Sequence, residues 1–265
     1  MKKKVLKIIA FVIAIALILG ICWVANGLNG NPISKMLAKK AANEYLEANF
    51  PDTDYFIEEL GFSFKFTGYY AHVRSESSID TQFTLEIDML GNVCYDTYDD
   101  VTGGFITARR VEREYRELTD QIFESPAFIY KSDIQYGTLE IYPQEAFDDP
   151  LVTDIPSYSL VQDDLVIDKV YDIRELGRMA GHLIVYVDDQ ELTFENAAKI
   201  LLDIKNQFDE ANIPFRAVDL SMRTDGERIN FDHFPYEDIY EEGLADRIKV
   251  AHDALEAYYA EQDGK

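Results

Sequence analysis

The chain has 265 residues, 47% hydrophobic and 28% charged, with 25 basic against 49 acidic side chains and a net charge of −24. Four of the basic residues and none of the acidic ones fall in residues 1–29, so residues 30–265 hold 21 basic and 49 acidic side chains, a net −28. That excludes the basic footprint that nucleic-acid binding needs and disfavours a surface lying flat on anionic lipid. Seventeen Tyr and 16 Phe exclude a disordered stalk.

Ile8 to Ala25 (IIAFVIAIALILGICWVA) carries no charge and is about eighteen residues long, near the minimum for a helix that spans a hydrocarbon core. Lys2, Lys3, Lys4 and Lys7 precede it, and Trp23 stands where an interfacial aromatic belongs. A cleaved signal wants small residues at its end, for which Ala25-Asn26-Gly27 is a poor match. A lipoprotein signal wants a small residue before its Cys, and Cys22 follows Ile21. The reading is therefore a Lys-rich cytoplasmic tip and a transmembrane signal anchor over 1–29, with the bilayer met through residues 8–25. The protein is expected at the cell membrane as a single-pass chain, N-terminus cytoplasmic and bulk extracellular. With Cys22 in the apolar run, Cys94 has no partner for a disulfide, so the soluble part folds on its core alone.

Asn31-Pro32 reads as a helix start, with Asn as cap and Pro in the first turn. Met36, Leu37, Ala41, Tyr45 and Leu46 form its expected buried stripe up to Phe50-Pro51. Four strand signals follow, each alternating apolar with polar: Phe62, Phe64 and Phe66; Tyr69, Ala71 and Val73; Phe83, Leu85, Ile87 and Met89; then Val93, Tyr95 and Thr97 after the Gly91-Asn92 turn. A helix after Gly103-Gly104 buries Ala108, Val111, Tyr115, Leu118 and Ile122. Residues 30–125 thus make a helix, a four-strand meander and a helix.

Residues 126–171 are punctuated by four prolines and read as a packed connector with one strand over Thr138–Tyr142. Residues 172–265 read as α-β-α-β-β-α. A helix spans Asp172–Ala180, and Leu183–Val187 (LIVYV) is a buried central strand. Thr193 caps a helix striped by Ala197, Leu201, Ile204, Phe208 and Ala211. Strands over Phe215–Met222 and Ile229–His233 are joined at Asp225-Gly226. A last helix carries Leu244, Ile248, Ala251, Leu255 and Tyr258. The fold class is α+β: an N-terminal transmembrane helix followed by two small units, each an antiparallel or mixed sheet with helices packed on one face.

Four stretches carry a resemblance: NPISKMLAKKAANEYLEANFPDTDY, SSIDTQFTLEIDMLGNVCYDTYDDV, VYDIRELGRMAGHLIVYVDD and FDEANIPFRAVDL. Through them the chain resembles the YfjL-like family of membrane-anchored proteins of Gram-positive bacteria. The resemblance implies a tethered extracytoplasmic protein and brings no activity with it. The first helix and meander are also similar in topology to PepSY modules, found in secreted regulatory and inhibitory proteins; topology alone does not carry function.

No catalytic signature appears. There is no G-x-S-x-G elbow, no H-E-x-x-H, and Thr102-Gly103-Gly104 lacks the Lys of a phosphate loop. His72, His182, His233 and His252 read as structural or surface histidines, and Cys94 as inert. Carboxylates are the abundant chemical group, so Asp96, Asp99 and Asp100, which join a strand end to Gly103-Gly104, are the candidate cation ligands, with calcium as the ion. Tyr69, Tyr70, His72 and Arg74 are the candidate binding surface. The expected function is a membrane-tethered, non-enzymatic binding or regulatory module for an extracellular or membrane protein or peptide. The alternatives are a calcium-dependent binding or sensing domain and a carboxylate-dependent hydrolase.

Overall fold

The computed structural model describes residues 2–130, 132, 134–188, 190–224 and 226–263, with side chains at all of these except 2, 3, 22, 23, 25, 26, 262 and 263. The readings placed on the side chains of Cys22 and Trp23 and on Asp225 of the hairpin turn lie outside that set.

Helix α1 (Lys2–Asn29) contains Lys4–Ile21, eighteen residues with a mean hydropathy of 2.6 and no burial against the rest of the chain. By length and composition it can cross a membrane or act as a signal sequence. The chain then divides into two compact units between Ile106 and Thr107.

In the first unit, α2 (Pro32–Asn49) is capped by the Asn31 side chain, which accepts from the Ser34 N–H at 2.9 Å. Strands β1 (Tyr55–Ser63), β2 (Gly68–Ser75), β3 (Gln82–Asp88) and β4 (Val93–Asp96) form an antiparallel sheet in that order, followed by the short α3 (Tyr98–Thr102). Two expectations are corrected. β1 lies earlier than read: Phe64 and Phe66 sit in the turn before β2 and are exposed, because the alternation of Phe62, Phe64 and Phe66 runs past the end of the paired strand. The buried stripe of α2 is Ser34, Ala38, Ala42 and Leu46, while Met36 is 74% exposed. Small side chains at 38 and 42 let the helix approach the sheet closely, and that packing sets which face turns in.

Tyr69 is buried, not on the surface as expected. Its hydroxyl accepts from the Asn31 N–H at 2.9 Å and donates to the Asn31 carbonyl at 2.8 Å, so one phenol pins the junction of α1 and α2. Tyr69→Phe removes both of these bonds, although the Asn31 carbonyl still accepts from the Lys35 N–H at 3.0 Å, and is expected to cost about 1–3 kcal/mol, measured by denaturation of the detergent-solubilised chain. An unchanged midpoint would mean that water replaces the hydroxyl.

Helix α4 (Phe105–Phe123) carries the boundary between the units. It was expected in the first unit, yet from Thr107 onward it belongs to the second. Val111 and Tyr115 pack with Leu139 and Leu176, and Phe123, flanked by Leu118 and Ile122, joins the larger core. The expected connector is also part of this fold. β5 (Gln135–Leu139) pairs with a later strand, β6 (Ile141–Tyr142) is followed by α5 (Gln144–Asp148), and β7 (Leu160–Val161) pairs with β6 in parallel. Then come α6 (Ile173–Ala180), β8 (Gly181–Asp188), α7 (Phe194–Glu210), β9 (Ala217–Thr224), β10 (Glu227–Pro235) and α8 (Leu244–Asp263). The sheet order is β10-β9-β8-β5, mixed, with β8 and β9 parallel and the other two pairs antiparallel. Leu183, Val185 and Val187 of β8 and Val218, Leu220 and Met222 of β9 enter one core with Ala197, Leu201, Ile204 and Phe208 of α7. The second face of β8 is not dry, since Ile184 and Tyr186 are half-buried.

Gly177 seats α6. A Cβ there would lie 2.5 Å from Tyr115 Cε2 and 2.6 Å from the Pro214 carbonyl oxygen, the same carbonyl that accepts the Tyr115 hydroxyl at 3.0 Å. Gly-to-Ala inside a helix is normally worth up to about 1 kcal/mol of added stability. Here overpacking wins, and Gly177→Ala is expected to destabilise by about 1–3 kcal/mol. Thermal denaturation decides the sign, and a raised midpoint would show that α6 can move off Tyr115.

Candidate functional site

Strand alternation in the second unit sends His182 to the sheet face turned away from the α7 core, since its neighbours Leu183, Val185 and Val187 fill that core. Asp219 follows the same parity in β9, between Val218 and Leu220. On the other side of β8, β5 sets Thr138 opposite His182, and Glu140 follows directly, its N–H bonded to the Ala180 carbonyl at 2.9 Å. The two strands flanking β8 therefore deliver one carboxylate to each side of the imidazole. His182 Nδ1 lies 2.5 Å from Glu140 Oε1, and Nε2 lies 2.7 Å from Asp219 Oδ1.

His182 is 4% exposed and Glu140 7%. Burial alone would keep both neutral. It opposes the charge on His182, but the bonds to Asp219 and Glu140 outweigh it and push the imidazole up to about 9. Burial likewise works against the Glu140 carboxylate, yet the bonds from His182 and Tyr142 hold it below its ordinary range. Both shifts favour the charged pair, an imidazolium at His182 against a carboxylate at Glu140.

The segment after β5 closes around Glu140. Tyr142 donates to Glu140 Oε2 at 2.8 Å, and the Glu140 carbonyl accepts from the Leu160 N–H at 2.8 Å. A β-bulge supplies the last member. Phe231 pairs with Leu220 and Phe234 with Val218, so Asp232 and His233 together oppose Asp219. The extra residue puts His233 at φ +50°, a left-handed conformation that a non-glycine residue adopts at a cost. Its N–H donates to Asp219 Oδ1 at 2.6 Å, its Nδ1 meets the Tyr158 hydroxyl at 2.8 Å, and its ring lies over His182 with centroids 4.5 Å apart. Burial and the carboxylates of Glu140 and Asp219 push the Tyr158 hydroxyl up, and burial beside Asp219 pushes Asp232 up. His233 and Asp232 border a groove of about 450 Å³ lined by Phe234, Pro235, Arg247 and Val250.

Among the described residues, Glu140, His182 and His233 are the group of three His, Cys, Asp or Glu side chains whose ligand atoms converge, all within 4.8 Å. Asp96, Asp99 and Asp100 do not converge in this way. Asp96 accepts from the Tyr45 hydroxyl at 2.5 Å and the Tyr98 N–H at 2.9 Å, closing the turn into α3, while Asp99 and Asp100 are exposed in its first turn. The bond to Asp96, helped by burial, pushes Tyr45 up to about 12.

Of the expected binding surface, Tyr70, His72 and Arg74 share the outer face of β2. Tyr70 donates to Glu59 at 3.1 Å, His72 Nδ1 meets the Thr84 hydroxyl at 2.9 Å, and Arg74 donates to Glu58 at 3.0 Å. Exposed Phe56 faces Arg74 across β1, and exposed Tyr95 faces Glu86 across β4.

Sequence reasoning assigned His182 and His233 structural or surface roles and did not single out Glu140 or Asp219. Glu140 and His182 are 42 residues apart, and His182 and Asp219 are 37 apart, so no local spacing signals them. The one available signal was a histidine opening an apolar central strand.

No curated protein and no solved structure matches the chain. A profile of the YfjL-like N-terminal domain matches residues 3–97, and one of the YfjL-like C-terminal domain matches residues 114–249. Two domains in that order cover most of the chain, and the protein belongs to the YfjL-like family.

Proposed function

We propose that the protein is a membrane-tethered, extracytoplasmic binding or regulatory module, with α1 as its single-pass anchor and the outer face of the first sheet as its ligand surface. The observation that carries this reading is the clean alternation of β2 and β3. Tyr69, Ala71, Val73, Phe83, Leu85 and Ile87 point inward, which leaves Tyr70, His72, Arg74, Thr84 and Glu86 together on the other face. Aromatic, cationic and anionic groups in adjacent rows suit an extended peptide or a protein edge better than a small apolar ligand. The helix-then-meander order is what a PepSY-like regulatory unit would require. The four lysines before the apolar run favour a cytoplasmic N-terminus. Against the hydrolase alternative, the buried carboxylate of Glu140 and the half-buried one of Asp219 are both committed to one imidazole.

Two experiments test this. Protease added to intact cells should digest the chain beyond Gly30; protection equal to that of a cytoplasmic control would overturn the topology. A photo-crosslinking amino acid at His72 should capture a discrete partner in the native membrane, and Arg74→Glu with Tyr70→Ala should abolish the capture. Capture that is insensitive to those substitutions would move the ligand surface elsewhere.

A further inference from the structure

The cluster around His182 lies in the other unit and has donors of a different kind. One oxygen of Glu140 and one ring nitrogen from each of His182 and His233 are gathered within 4.8 Å. Each of the three side chains is also gripped by a further group: Tyr142 on Glu140 Oε2, Asp219 on His182 Nε2 and Tyr158 on His233 Nδ1.

We propose that Glu140, His182 and His233 form a binding site for a divalent transition-metal cation of the zinc class, oriented by Tyr142, Asp219 and Tyr158. Two imidazoles and a carboxylate are a donor set that zinc takes in three-ligand sites with a fourth position open. Calcium instead requires six to eight oxygens, and most of the donors here are nitrogen, so the ion differs from the one that the acidic clusters suggested. An ion held at about 2.0–2.2 Å from each ligand of a tetrahedral set needs donor atoms roughly 3.3–3.6 Å apart, so Glu140 and His182, now 2.5 Å apart, open to admit it and the widest separation, at most 4.8 Å, closes by roughly 1.2–1.5 Å.

The outer contacts carry the assignment further than proximity does. A cation shared by Glu140 and His182 takes Nδ1, the nitrogen that Glu140 faces, and leaves the Nε2–H on Asp219, the carboxylate–histidine–metal arrangement that fixes tautomer and ring orientation. The proton now between Nδ1 and Glu140 leaves to solvent as the cation enters. The left-handed backbone at His233, costly in itself, is what brings the second imidazole onto the first. His233 borders the groove over Phe234 and Val250, which gives the open position a route to solvent.

The test uses the full chain in detergent, purified without a histidine tag and stripped with a chelator. Zinc uptake is measured by equilibrium dialysis with elemental analysis, and cobalt serves as a spectroscopic stand-in. The expected result is one zinc per chain, unaffected by millimolar calcium, with visible cobalt bands of a low-coordinate site. His233→Ala, on the solvent side of the cluster, and Glu140→Gln should each weaken uptake at least tenfold, and Tyr158→Phe should weaken it by roughly 10-fold as an outer partner. Asp99→Asn with Asp100→Asn should leave it unchanged. A thermal melt of the stripped His233→Ala protein confirms that the variant is folded. No stoichiometric uptake at micromolar zinc, uptake that calcium displaces, or uptake indifferent to His233→Ala and Glu140→Gln would each overturn the site.

Discussion

Replacing His182 by leucine in chelator-treated protein is expected to cost about 3–5 kcal/mol of folding stability, the penalty for removing one partner from a buried ionic group. For a domain of this size that is a fall of roughly 6–20 °C in the melting midpoint. The reason is what remains. Glu140 keeps the Tyr142 hydroxyl and Asp219 keeps the His233 N–H, but two carboxylates then face a leucine with no positive charge between them. Leucine adds apolar surface, and that gain of about 2 kcal/mol is smaller than the cost of desolvating an unpaired carboxylate. The pH dependence gives an independent reading of the same contact. His182 is raised from its ordinary 6.5 to about 9, so its contribution is complete below pH 6.5 and is lost as pH rises through 9. The groups facing it are Glu140, Asp219, His233 and, one step out, Tyr158 and Asp232. Glu140 is held low, so its share is present above the ordinary carboxylate range and is lost as pH falls. Metal-free wild type should therefore lose stability from pH 6.5 to 9, and His182→Leu should show a flatter curve over that window. A variant within 1 kcal/mol of wild type with the same slope would mean that the imidazole is not the charge joining the two strands.

What was legible in the sequence was legible because it is local. The α7 stripe and the inward rows of β2 and β3 are set by neighbours three, four or two positions apart, and they fold as read except at their ends, where Ala211 caps α7 and Met89 lies past β3. The errors have a common physical form: periodicity says that a face is apolar, not where pairing stops or how closely a helix docks. Phe62, Phe64 and Phe66 alternate perfectly, yet the strand ends at Ser63. Met36 is larger and more apolar than Ala38, yet Ala38 is the residue under α2, because a helix lying close to a sheet selects small side chains. The candidate metal cluster was out of reach for a stronger reason. Its members come from the end of β5, the start of β8, the middle of β9 and a bulge in β10, and only the sheet order brings them together. A bulge that turns His233 toward His182 leaves no mark in a two-residue alternation.

Phe208→Ala is the second large effect, expected at about 3–5 kcal/mol, and it also tests where α4 belongs. Phe208 is fully buried in the middle of a run of rings: Phe128 on Phe123 at 5.2 Å, Phe123 on Phe208 at 5.3 Å, Phe208 on Phe215 at 5.6 Å, and Phe215 on Tyr236 at 5.1 Å. Truncation removes the ring that joins α4, through Phe123, to the segment leading into β9, through Phe215. Four rings and Ile213, whose N–H is bonded to the Phe208 carbonyl, cannot all collapse inward without breaking those edge-to-face and tilted contacts, so the cavity term adds to the lost transfer energy. Met36→Ala is the matched control. Periodicity placed Met36 on a buried stripe, but it is 74% exposed and should change stability by less than about 0.5 kcal/mol. Hydrogen exchange on the Phe208→Ala protein then separates the two possible homes of α4. If residues 107–123 pack into the second core, their amides lose protection together with those of α7 and β9, while β2 and β3 keep theirs. Loss of protection confined to α7 and β9, with α4 still exchanging in step with the first sheet, would return the helix to the first unit and restore the boundary near residue 125.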